Sequence, residues 1–253
     1  MPRGPAEPTE STKRYVATRA GNRCAFPGCP HQLTMGATER SPGRFVGVCA
    51  HIRGEVPGAA RYDATMSDSE RREARNLVYL CGHHHSVVDS MPGEYPAEWL
   101  EQVKGDHEER VARALAGAVS DVTFEELQAV VDHIAGTASR IEDGFHVVRP
   151  EDKLRRNGLT ATSAELLRYG SVRAHDVGRY VEERATEDPS FPYRLRGGFL
   201  ERYGSLVHAG VSGDELFSEM QVFASRRSDH LLEQGAGLAV LTYLFEACEV
   251  FEQ

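Results

Sequence analysis

Cys24 and Cys29 bracket the residues Ala-Phe-Pro-Gly, and Cys81-Gly82-His83-His84 follows much later in the chain. Pro27-Gly28 can turn the backbone so that both sulfurs of the first pair face one point. Zinc takes four soft or borderline ligands in a tetrahedron, and two such pairs supply them. The natural set is Cys24, Cys29, Cys81 and His84, with His83 as the alternative to His84. Unliganded structural cysteines beside a solvated histidine run are the bland alternative. Two separated cysteine-bearing pairs in a loop-rich segment argue against it. Four protein ligands would close the site, so the zinc is expected to be structural, tying the first knuckle to the start of the helix that carries the histidines.

His85 is next in sequence. On a helix it points about 100° away from His84, and Asp89, four residues on, shares its face. A histidine and a carboxylate on adjacent turns can share a divalent ion, and the carboxylate suits a hard one such as Mg²⁺ or Mn²⁺. Upstream, His51 ends an expected strand and Asn76 sits at the turn into the next.

The segments "CAHIRG" and "RNLVYLCGHHHSVVD" resemble the HNH (ββα-metal) endonucleases, and "CAFPGC" with "CGHH" resembles the zinc knuckle that many of them wrap around the motif. The resemblance covers about residues 12–110. It implies that His51 is the general base that activates water against a phosphodiester. It implies that Asn76 fixes the loop carrying that histidine, and that His85 helps ligate one divalent ion. Asp89 falls where many members have a further metal ligand. One departure is plain: many members carry an Asp or His ligand directly before the base, and here that residue is Ala50. His85 and Asp89 then remain as ligands, with waters, substrate phosphate or another carboxylate completing the shell. Members reading Ala-His-Ile at this point are common among HNH effectors of prokaryotic defence systems.

The chemistry is coherent without the family. Phosphodiester hydrolysis needs an activated water and a cation on the non-bridging and leaving oxygens. A neutral histidine can take the water's proton near pH 7. Arg53 and Arg61 are placed to meet phosphates, unless they are ordinary solvated arginines. Cys49 could be a ligand, but a buried strand cysteine is the preferred reading.

The elements around these residues follow from local pattern. A helix is expected over "TKRYVATRAG", one strand over "GRFVGVCAHI" and a second over "NLVYLC". "HHHSVVD" starts a helix ended by "MPG", and a longer helix is expected from Pro96 to about Leu115. The small residues of "AGAVSDVT", 116–123, mark the expected domain boundary. Beyond it the pattern is mostly helical. Thr123 can cap the first helix, and Ser212 and Asp214 offer helix-start chemistry. "IEDGFHVVR" suggests a short strand or extended link. The fold class expected is α+β: residues 1–11 as a flexible tail, 12–116 as a small zinc-stapled ββα-metal nuclease domain, and 121–253 as a mostly α-helical domain.

Composition bounds the class. The chain has 253 residues, 40% hydrophobic and 26% charged, as in globular proteins. It has no apolar run long enough for a transmembrane helix, and "MPRGPAEPTEST" lacks the apolar core of a secretory signal. A cytoplasmic location is expected. Five cysteines, one of them Cys248 in an apolar helical pattern, argue against a disulfide framework. Residues 1–118 carry 15 Lys/Arg against 15 Asp/Glu, whereas residues 119–253 carry 14 against 23. The acidic half should repel nucleic acid; its five histidines (133, 146, 175, 208, 230) lack metal spacing, and its aromatic residues read as core. Its run from "KLRRNGL" to "AVLTYLFEACEVFE" resembles the C-terminal domain of effectors of ABC-three-component conflict systems. That resemblance implies docking to an ABC-type ATPase and a small middle protein; a stabilising or homodimerising helical domain is the alternative. Together these readings predict a DNA-cutting HNH endonuclease with catalytic Mg²⁺ or Mn²⁺ and structural Zn²⁺. A zinc-stapled nucleic-acid-binding module without catalysis, or an adaptor, is the rival.

Overall fold

The computed structural model describes residue 4 and residues 6–35, 44–138 and 150–247; the expected link at 141–149 with its His146, and Cys248, lie outside them. The chain divides into two compact units, Met1–Ala112 and Arg113–Gln253. Among the described residues it is mostly helical, with two two-stranded antiparallel sheets, an α+β composition.

In the first unit, helix α1 (Glu10–Arg19) starts where the Thr9 hydroxyl accepts the Thr12 N–H at 3.0 Å. Residues ahead of it are not all solvated: Ala6 is buried, and Lys13 pairs with Glu7 at 3.3 Å. Ala6, Glu7 and the start of α1 thus differ from the flexible tail expected there. Strand β1 (Thr34–Met35) pairs with β2 (Arg44–Phe45), and β3 (Val48–His51) pairs with β4 (Leu77–Leu80), His51 opposite Leu77. A four-residue helix α2 (Asp68–Arg71) and a 3₁₀ turn at Ala74–Asn76 lead into β4. Helix α3 (Gly82–Ser90) follows β4 directly, and α4 (Ala97–Asp121) comes next. All four β4 residues are buried, and α1 and α3 both pack on the β3–β4 hairpin. A strand so covered reads as a continuous apolar run rather than an alternation.

The single strand expected over 43–52 is two strands in different sheets. The break comes at Gly47, where a Cβ would lie 2.3 Å from the Tyr79 ring. The ring fills the space beside the backbone, its hydroxyl donates to the Leu33 carbonyl at 3.1 Å, and the chain changes sheet there. Helix α4 also differs from expectation: it runs on through the small residues 116–121, because Leu115 and Val119 are buried in the second unit's core. The division between the units falls inside this helix.

The second unit adds α5 (Phe124–Thr137), α6 (Pro150–Arg156), α7 (Ala161–Glu187), α8 (Phe191–His208), α9 (Gly213–Ala224) and α10 (Leu231–Ala247). Thr123 and Glu126 form a capping box at the start of α5. Helix α10 is apolar on every side and packs against α5, α7 and α9, as a helix central to its unit must. Phe199, Tyr203, Phe217 and Phe245 are buried, with Phe223 and Tyr243 packed against them. Asp214 does not cap its own helix. Its carboxylate accepts the Thr160 N–H at 2.9 Å and the Ser163 hydroxyl at 2.6 Å, fastening the start of α7 to α9. No helix among the described residues is long and apolar enough to cross a membrane.

The Gly47–Tyr79 contact is testable. Gly47→Ala should lose roughly 1–3 kcal/mol of stability by overpacking in urea or thermal unfolding, and the loss should shrink in a Tyr79→Leu background. Equal losses in both backgrounds would show that the ring is not what excludes the methyl.

Candidate functional site

Two groups of polar side chains meet at the β3–β4–α3 part of the first unit. The first is a donor cluster. The backbone reverses between Cys24 and Cys29, with the Cys29 N–H on the Phe26 carbonyl at 3.1 Å and Gly28 at φ +74°. Cys81 caps α3, its sulfur accepting the His84 N–H at 3.4 Å. The helix start thus aims the His84 ring back at the knuckle. The Cys24, Cys29 and Cys81 sulfurs and a His84 ring nitrogen all lie within 4.8 Å of one another. His84 Nδ1 is 3.1 Å from the Cys81 sulfur and 3.6 Å from the Cys24 sulfur. The Phe26 ring stacks on His84 at 3.9 Å between centroids, 7° from parallel, and fixes the ring plane. His83 is exposed and meets His84 edge-on; it is not in the cluster.

Protonation follows burial. Burial pushes the Cys24 thiol up to about 12. At Cys81 burial also opposes the thiolate, but hydrogen bonds from His31, the His84 N–H, the Cys24 thiol and the His84 ring outweigh it and bring the thiol down to about 6. The group thus favours one thiolate at Cys81 even without an ion. Three sulfurs and one imidazole can hold a metal ion, and this donor chemistry fits zinc. His31, which sequence reasoning passed over, stands two residues after Cys29, close enough in sequence to be suspected.

The second group surrounds His51. Asn76, buried at the end of the 3₁₀ turn, faces the backbone that leaves β3. Its side-chain oxygen accepts the Arg53 N–H at 2.9 Å. Its amide nitrogen donates to the Arg53 carbonyl at 3.0 Å and the Arg71 carbonyl at 2.9 Å. Its own carbonyl accepts the Ile52 N–H at 2.8 Å. Arg71 is buried too and donates to the carbonyls of Gly54 at 2.8 Å, Met66 at 3.0 Å and Asp63. Nothing local in the sequence marks Arg71 for this role.

His51 itself is covered. Its ring bonds to the Ala6 backbone, and its Nε2 is buried with no partner among the described residues. Burial pushes its pKa below 6.5, partly offset by the charges of Glu55 and Asp89. Along α3, His85 Nε2 lies 3.2 Å from an Asp89 carboxylate oxygen. That is the distance of a direct ion pair or hydrogen bond. No third metal donor joins the pair: among the described residues the only group of three or more gathered metal donors is the cysteine cluster. Ala50 is buried in the apolar cluster of this unit. Cys49 donates to the Lys13 carbonyl at 3.5 Å, and burial pushes its thiol up to about 11, which keeps it protonated.

The arginines expected to meet phosphate are otherwise engaged. Arg53 pairs with Glu101, with Glu98 at 3.4 Å and with Asp63 at 4.0 Å. The Arg61 side chain is only 5% exposed and pairs with Asp89 at 2.6 Å. Positive residues counted along a chain do not reveal such pairing.

No protein-family model matches the chain, and no curated protein matches it.

Cluster membership separates the two candidate histidines. His83→Ala should retain about one metal ion per chain by plasma mass spectrometry, and His84→Ala should lose it or hold it far more weakly. Retention in His84→Ala with loss in His83→Ala would reverse the assignment.

Proposed function

We propose that this chain is a metal-dependent endonuclease of the HNH (ββα-metal) type that hydrolyses DNA phosphodiester bonds. In this reading Cys24, Cys29, Cys81 and His84 hold a structural zinc. The observation that carries the reading is the Asn76 side chain: it fastens both polar groups of the Arg53 backbone, two residues after a half-buried histidine whose buried Nε2 has no partner among the described residues. The hairpin-then-helix order of β3, β4 and α3 supports it, as does the His85–Asp89 pair on the adjoining helix.

His51, kept neutral by burial, accepts a proton from the attacking water through Nε2. Asn76 holds the loop so that this nitrogen keeps its direction. His85 and Asp89 hold Mg²⁺ or Mn²⁺. That ion, when bound, stabilises charge on the non-bridging and leaving oxygens. For water and DNA to reach the buried His51 Nε2, the groups that cover it must move aside. The acidic helical unit is, in this proposal, a docking module for an ABC-type ATPase and a small middle protein, and the whole is a cytoplasmic effector of a prokaryotic defence system. The net negative charge of residues 119–253 supports a protein partner over nucleic acid there.

A second reading, a zinc-stapled nucleic-acid-binding or adaptor protein without catalysis, draws on two observations. Ala50 stands where a ligand is expected, and Arg53 and Arg61 are already paired with carboxylates.

A plasmid-nicking assay with Mg²⁺ or Mn²⁺ separates the readings. Wild type should cut, and His51→Ala should cut about 100- to 10,000-fold more slowly with its zinc content unchanged. The base works only when neutral, and burial lowers its pKa, so the acid limb of the pH–rate profile should lie below 6.5. A wild type that binds DNA but never cuts, with partner proteins present, would favour the second reading.

A further inference from the structure

Arg61 carries the left-handed backbone conformation, φ +56°, that a residue with a side chain adopts only under constraint. The loop before it closes through the Gly54 N–H on the Ala60 carbonyl at 3.1 Å. A Cβ on Gly54 would lie 2.6 Å from that same oxygen, so only glycine permits the closure. The left-handed turn then sends the Arg61 side chain inward, where it is 5% exposed. Its Nε donates to the Ile52 carbonyl at 2.8 Å, next to His51. One terminal nitrogen donates to the Val88 carbonyl on α3 at 2.7 Å and reaches the Tyr95 carbonyl at 3.5 Å. The other donates to an Asp89 carboxylate oxygen at 2.6 Å, while the second oxygen of that carboxylate faces His85 at 3.2 Å.

We infer that Arg61 is a positioning residue: it sets the Asp89 carboxylate beside His85 and ties both to the His51 loop, and it does not contact nucleic acid. This rests on reading His85 and Asp89 as the holders of the divalent ion. The rigid fork of the guanidinium is what permits it, since one side chain must meet a strand end, a helix and a carboxylate at once. A side chain only 5% exposed, with four of its five N–H donors directed at carbonyls and a carboxylate, offers little to a phosphate. The carboxylate, freed from rotation by one oxygen, presents the other in a fixed direction, as partners behind metal ligands do.

The test uses the full-length, zinc-loaded protein and Mn²⁺ alone as probe. Arg61→Lys and Asp89→Asn should each weaken Mn²⁺ binding about 10- to 100-fold, with zinc content unchanged. The double variant should bind no more weakly than Asp89→Asn alone, because Arg61 acts through that carboxylate. Additive losses overturn the inference. So does an Arg61→Lys protein with normal Mn²⁺ affinity whose DNA binding loses about one unit of salt slope, the mark of a lost phosphate contact. Should Arg61→Lys fail to fold, the ¹H–¹⁵N signal of the Arg61 Nε in wild type and Asp89→Asn decides. A slowly exchanging signal that shifts in the variant supports the contact, and a freely exchanging, unshifted one refutes it. If wild type binds no Mn²⁺, the metal reading of His85 and Asp89 fails by itself, and the same NMR comparison still judges the Arg61–Asp89 link.

Discussion

The first unit depends on the buried amide of Asn76. The chain between His51 and Ser67 forms no strand or helix, so its backbone groups must find partners outside a regular ladder. Asn76 satisfies both groups of Arg53 and the carbonyl of Arg71 from one side chain. Arg71 and Arg61 then satisfy carbonyls at Ile52, Gly54 and Met66. A buried polar group left unpaired costs about 1–3 kcal/mol. Three side chains therefore decide whether this segment has one conformation or many. The direction of the His51 ring follows from that outcome.

The cysteine cluster does the same for the other end of the hairpin. Its residues come from the knuckle after α1 and from the first turn of α3, so an ion there joins segments far apart in sequence. His84 and His85 are neighbours on that first turn and face different ways. One helix start thus serves the cluster through one residue and the Asp89 pair through the next. Phe26, stacked on His84, helps hold that division.

The donor set was legible because ligand type and spacing are local properties of the chain. So were the cap at Thr123 and the aromatic core of the helical unit. The strand break at Gly47 was not, since its cause is a ring thirty-two positions away at Tyr79. The roles of Arg61 and Arg71 were hidden for a related reason. A count of charges suggests a surface for phosphate, whereas exposure and partners make both side chains internal fasteners. The true length of α4 was obscured by small residues that resemble a linker in isolation and bury well on a helix. Asp214 carried the right chemistry for a cap but serves a helix more than fifty residues upstream.

The claim that ties these features together is that Asn76 holds the His51 loop in a working direction. Its most direct measurement is single-turnover DNA cleavage by Asn76→Asp. This change keeps the side chain's size and an acceptor for the Arg53 N–H but removes the two donated hydrogen bonds. Cleavage slowed about 100-fold or more, with the cysteine cluster's metal content intact, is the predicted result. Cleavage at the wild-type rate would contradict it.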